Sequence, residues 1–139
     1  MDHIFRNIAA IIVGFIAGSA LNMGLVQLGH QIFPISGVDL NDMDSLAAIM
    51  PALSYHYFIF PFLAHALGTL LGASTAAWIA KSHKMKFALS IGFLFLIGGI
   101  TVNLMLPGPT WFSIIDIVIA YIPMAYIGGL IGIKKIIKK

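Results

Sequence analysis

A chain of 139 residues is long enough for one modest domain. Hydrophobic residues make up 60% of it and charged residues 9%, against about 45–50% and about 25% in soluble proteins. A globule of this size cannot hide so much apolar surface in its own core, so a soluble domain is excluded and lipid has to cover the rest. The formal net charge of +3 does not point to nucleic acid, because the basic residues sit at the edges of apolar runs with no polar domain attached. The chain has no cysteine, which excludes disulfides and thiolate metal sites.

Four apolar stretches follow in chain order, at 4–28, 55–80, 87–106 and 111–133. Each has at least the ~20 residues needed to cross a hydrocarbon core of ~30 Å. A spanning helix satisfies its own backbone hydrogen bonds, so the sequence predicts four transmembrane helices and an all-α membrane fold, a single four-helix domain over 1–139. The first stretch also looks like a secretory signal, with Arg6, an apolar run and Ala17-Gly18-Ser19-Ala20 as a cleavage site. Its apolar run continues past Ala20, so it is read as a helix of the mature protein.

The charges suggest an orientation. All eight Lys and Arg residues fall on one side if the chain crosses four times: Arg6 before the first span, Lys81, Lys84 and Lys86 between the second and third, and Lys134, Lys135, Lys138 and Lys139 after the fourth. Asp39, Asp42 and Asp44 fall in the first loop on the other side. The positive-inside rule then puts both termini in the cytoplasm, in the cell inner membrane, with the basic tail Lys134–Lys139 against anionic lipid headgroups. Short connections at 81–86 and 107–110 predict antiparallel neighbours in an up-down bundle.

The longer outer loop, 29–54, carries Asp44-Ser45 as an expected N-cap for a short surface helix over 46–50. Its acidic stretch offers oxygen ligands but lacks the glycine and terminal glutamate of an EF-hand, so it reads as a solvated loop. Spans one and three share Gly-x3-Asn (Gly18/Asn22, Gly99/Asn103). Spans two and four share an aromatic residue near a proline (Pro61, Pro123) followed by Gly-x3-Gly (Gly68/Gly72, Gly128/Gly132). Such faces let helices approach closely and invite a homo-oligomer; the pattern also hints at a tandem repeat.

Four polar residues inside the spans are candidate substrate or ion contacts: Asn22, His65, Asn103 and Asp116. Counted from the outer ends at 1.5 Å per residue, Asn103 and Asp116 lie roughly 5–8 Å deep, Asn22 about 10 Å and His65 about 15 Å. They are expected to form one outward-facing polar cluster, with Gln27, His30, Tyr55 and His56 at its mouth. An aspartate here has to be protonated, paired or wet, and only His65, His30 or His56 is available as a basic partner. No metal or cofactor is implied. His56 and His65 point to opposite sides of their helix, bis-histidine haem lacks a matched pair, and no H-E-x-x-H occurs.

The leading expectation is a small transporter or channel for a proton, cation or polar solute through this cluster. The alternatives are an accessory protein whose loop or tail binds a partner, and a membrane enzyme or lipid-binding protein using His65 and Asp116 as an acid–base pair. Catalysis is the less favoured reading.

Overall fold

The computed structural model describes the backbone of residues 2–137 and the side chains of residues 3–134. The described residues are all-helical: α1 (Asp2–Ile32), α2 (Met43–Ile49), α3 (Ile59–Ile79), α4 (Lys84–Met105), α5 (Thr110–Ile119) and α6 (Ile122–Ile137), with 3-10 turns at Met50–Ala52 and Tyr55–Phe58. Four stretches are long and apolar enough to cross a membrane: His3–Ile32, Tyr55–Ile79, Lys84–Met105 and Thr110–Lys134. Many large apolar side chains point outward, among them Ile4, Ile16, Met23, Leu104 and Val118, as a lipid-facing surface requires. Of the basic tail Lys134–Lys139, only Lys134 has a described side chain, and Lys138 and Lys139 lie outside the described residues altogether.

α3 is the centre of the bundle, packing most extensively on α1 and α6 and then on α4. Its contact with α1 is backbone on backbone. A Cβ added to Gly14 would lie 2.7 Å from the Gly72 carbonyl, and one added to Gly18 would lie 2.6 Å from that of Gly68. Only glycine permits that approach, and without a hydrophobic drive between helices in lipid it is close packing that holds them. Gly128 and Gly132 of α6 meet the Leu70 and Ser74 carbonyls of α3 in the same way. Both Gly-x3-Gly faces are therefore packed within the chain.

Around these crossings lies a core of small residues: Ala73, Ala76, Ala77, Ala88, Ile91 and Ala125, all fully buried. The carbonyls at the end of α3 are closed by side chains from outside it. Arg6 Nη2 donates to Ile79 O at 3.1 Å, and Lys84 Nζ donates to Ala77 O at 3.3 Å and to Ala80 O. Asn7 Oδ1 accepts from the Lys81 amide at 3.0 Å. This is the basic end of the molecule.

The opposite, loop end is built differently. α2 begins earlier than the sequence suggests: Asp42, not Asp44-Ser45, is the N-cap, its Oδ1 accepting from the Asp44 and Ser45 amides. Asp39 Oδ1 accepts from the Asn41 amide and side chain. These oxygens are used in turns and a cap, and no group of metal-binding side chains occurs among the described residues. Phe33 packs on His56, Tyr57 and Phe60, while Phe58 packs on Trp111 and Phe112.

The two prolines act differently. Pro61 lies in the first turn of α3, where its missing N–H is one of the unpaired donors anyway, and the helix runs on. Pro123 follows a break at Ala120 and Tyr121 that divides the fourth span into α5 and α6. It can donate nothing to the Ile119 carbonyl, and its ring crowds that group.

Candidate functional site

His65 is six residues into α3 and Asp116 six residues into α5. At 1.5 Å per residue both are roughly 9 Å along their helices. The expected difference in depth is corrected by the contact between the two side chains, which places them at one level. His65 Nδ1 lies 2.8 Å from Asp116 Oδ1 and 3.0 Å from Oδ2.

Asp116 is fully buried and has a second donor, the Tyr121 hydroxyl, at 3.0 Å from Oδ2. On a continuous helix residues 116 and 121 would lie about 140° apart around the axis. The break at Ala120–Tyr121 turns the phenol back onto the carboxylate. Gly99 of α4 makes room for it: a Cβ there would collide with the Tyr121 hydroxyl. The Tyr121 ring also lies against that of His65, with centroids 5.7 Å apart. A carboxylate accepting from an imidazole Nδ1–H and a phenol is satisfied without any Lys or Arg, which answers the cost of burying its charge.

The same arrangement sets the chemistry of His65. With Nδ1–H directed at Asp116, the neutral ring keeps Nε2 as an acceptor. Among the described residues Nε2 has no protein partner, yet it is not a buried orphan, because His65 is partly exposed to a cavity. That cavity, of about 190 Å³, lies at the loop end between α1, α3, α4 and α5. Leu46 of α2 and the neighbouring Met50 and Leu53 close it from the loop side, and Val26, Phe58, Val102 and Phe112 supply apolar walls. His30, Tyr57, His65 and Asn103 are its polar members; among the described residues no Lys, Arg, Asp or Glu lines it.

The other candidates separate into two groups. Asn103 lines the same cavity, but its amide is engaged: Oδ1 accepts from Ser113 Oγ at 2.6 Å and Nδ2 donates to Gly99 O at 3.2 Å, tying α4 to α5. His30 also lines the cavity. Asn22 does neither; it packs on Gly68 at the α1–α3 crossing. Gln27 and Tyr55 face outward, and His56 lies between Phe33, Tyr55 and Tyr57, away from the cavity wall.

Three residues of the site escape a reading of the sequence. Tyr121 is visible there only as an aromatic residue near Pro123, and its meeting with Asp116 requires the helix break. Ser113 carries no signal beyond its hydroxyl. Thr69, one turn beyond His65 on α3, is fully buried, and its Oγ1 is the one buried side-chain polar atom without a partner among the described residues.

Chemically, the site is a fixed imidazole base at the wall of a small apolar chamber, backed by a buried carboxylate and a phenol. Such a unit can accept a hydrogen bond from a guest at Nε2, or share a proton between Nδ1 and the carboxylate. No known family model, curated protein or solved structure matches the chain.

Proposed function

We propose that this chain is a four-span, up-down membrane protein of the cytoplasmic membrane with both termini in the cytoplasm, and that it binds a small, mostly apolar molecule carrying one hydrogen-bond donor. The topological part rests on the charge distribution and on contacts such as Gly14 with Gly72 and Gly18 with Gly68, which suit antiparallel helices. The binding part rests on one observation: His65 is at once a wall of an otherwise mostly apolar cavity and the hydrogen-bonded partner of buried Asp116. Pockets of this composition take apolar bodies, and a single fixed polar group orients them. The guest is uncharged, because among the described residues no formal charge lines the chamber.

The test uses 2-naphthol, with naphthalene as the analogue lacking a donor, against the purified protein in lipid nanodiscs. 2-Naphthol binds more tightly than naphthalene to the wild type, by roughly tenfold for one buried hydrogen bond. His65→Leu abolishes that preference while naphthalene still binds. Asp116→Asn lowers it, because an amide can donate to Nδ1 and so turn Nε2 into a donor, for which the naphthol oxygen is only a weak acceptor. Equal binding of the two probes to wild type and His65→Leu rejects the reading.

Transport of a proton or small polar solute is the second reading, supported by the break in the fourth span, a feature of many transporter sites. It requires the alanine-packed half of the bundle to open. Proton flux into proteoliposomes that disappears in Asp116→Asn would make it the better one.

A further inference from the structure

A second concavity lies at the basic end. Arg6 of α1, Trp78 and Ile79 of α3, Ala80 and Lys81 of the α3–α4 connection, and Lys84 of α4 enclose about 430 Å³. Three cations thus come from three parts of the chain to one hollow, and among the described residues no carboxylate lines it. The buried carboxyl group of Asp116 lies at the other end of the bundle, hydrogen-bonded to His65.

Closing the end of α3 explains part of this. Arg6 and Lys84 donate to its last carbonyls, and positive charge is favourable at a helix C-terminus. It does not explain Lys81, whose ammonium has no hydrogen-bond partner among the described residues, although its own amide is held by Asn7. Nor does capping use all the donors of Arg6 and Lys84, which offer five and three N–H groups. Three like charges around one hollow repel each other, and a guest anion relieves that repulsion. Arg and Lys together favour a phosphate: the guanidinium binds two of its oxygens side by side and the ammonium acts as a point charge. Trp78 stands beside them half-exposed, as indoles do at the headgroup level of a membrane.

We infer that the hollow formed by Arg6, Trp78, Lys81 and Lys84 is a binding site for a phosphate group, either the headgroup of an anionic phospholipid or a free phosphate. It is independent of the guest at His65.

Native mass spectrometry of the full chain, released from micelles with equimolar phosphatidylglycerol and phosphatidylcholine, tests this. One phosphatidylglycerol is retained per chain, preferred by about tenfold, the scale of one or two charge-assisted hydrogen bonds. Lys81→Gln, which removes no capping bond, lowers the preference severalfold; Arg6→Gln lowers it further. Lys86→Gln, in the first turn of α4 but outside the hollow, leaves it unchanged. If phosphatidylglycerol is not preferred but inorganic phosphate raises the unfolding midpoint of the wild type and not of Lys81→Gln, the phosphate site stands with a soluble source. If neither probe distinguishes wild type from Lys81→Gln and Arg6→Gln, or if Lys86→Gln lowers lipid retention equally, the site is overturned in favour of diffuse surface charge.

Discussion

The two ends of this bundle solve the same packing problem with opposite materials. From the middle of the bundle towards the basic end, glycine and alanine bring backbones into contact: Gly14 on Gly72, Gly18 on Gly68, and a core of fully buried alanines around Ile91. At the loop end, aromatic and branched residues from five elements meet less closely and leave a cavity, with His65 and Asp116 at its inner edge. Small side chains exclude water and guests because helices can close on them. Large side chains anchored on a loop hold helices apart, and the space between them has room for chemistry. The buried charge sits at the boundary, close enough to the cavity to act and deep enough to need partners.

The largest test of this contrast removes those partners. His65→Leu or Asp116→Leu alone should each destabilise the protein by about 1–3 kcal/mol in detergent-unfolding titrations, because each takes a hydrogen-bond partner from the other. The double variant should lose less than the sum of the two, since neither orphan then exists. Additive losses would mean the pair is not coupled.

Bulk added at the two ends sharpens the difference. Gly18→Leu drives a side chain into the Gly68 carbonyl and Phe95, with an expected cost of about 1–3 kcal/mol or more. Val26→Leu extends into the cavity and should cost under about 1 kcal/mol while weakening naphthalene binding. Equal costs would show that the cavity is not free space.

At the boundary, Thr69→Val replaces an unpartnered buried hydroxyl with a methyl of similar shape. Stability should rise by about 1 kcal/mol, the scale of an unsatisfied polar group, with 2-naphthol binding unchanged. A loss instead would give the hydroxyl a part in the site.

The smallest effect is at the surface of the loop end. The Asp42 carboxyl is held below its ordinary value of 3.8, first by the Ser45 hydroxyl and then by the Ser45 and Asp44 amides. A depressed folded value means that its contribution to the cap of α2 is fully present above 3.8 and is lost only as pH falls through the folded value. Amide exchange in Met43–Ile49, corrected for intrinsic rates, should be flat from pH 7 to pH 5 and rise only in stronger acid. Asp42→Ala should abolish the pH dependence.

How much of this was legible beforehand differs by residue. Hydropathy alone located the four membrane-crossing stretches, and the rarity of acids in them marked Asp116 as needing a partner. His65 was among three candidate partners, and the choice depended on which side chain the packing brings to the level of Asp116. Asn22 resembles Asn103 in its local pattern, yet one packs at a glycine crossing and the other lines the cavity. The Gly-x3-Gly pairs were recognisable as contact faces, but nothing local to them says whether the contact lies within the chain or between chains.

What the sequence by itself determined is therefore what local sums decide. In lipid a backbone must close its own hydrogen bonds, so twenty apolar residues in a row specify a helix without reference to anything else. Which helices touch, and at what height, depends on crossing geometry, on where each helix starts and on how a span breaks. Only the tertiary structure decided that Tyr121 would meet Asp116, that Gly99 would admit it, and that His65 would line a cavity.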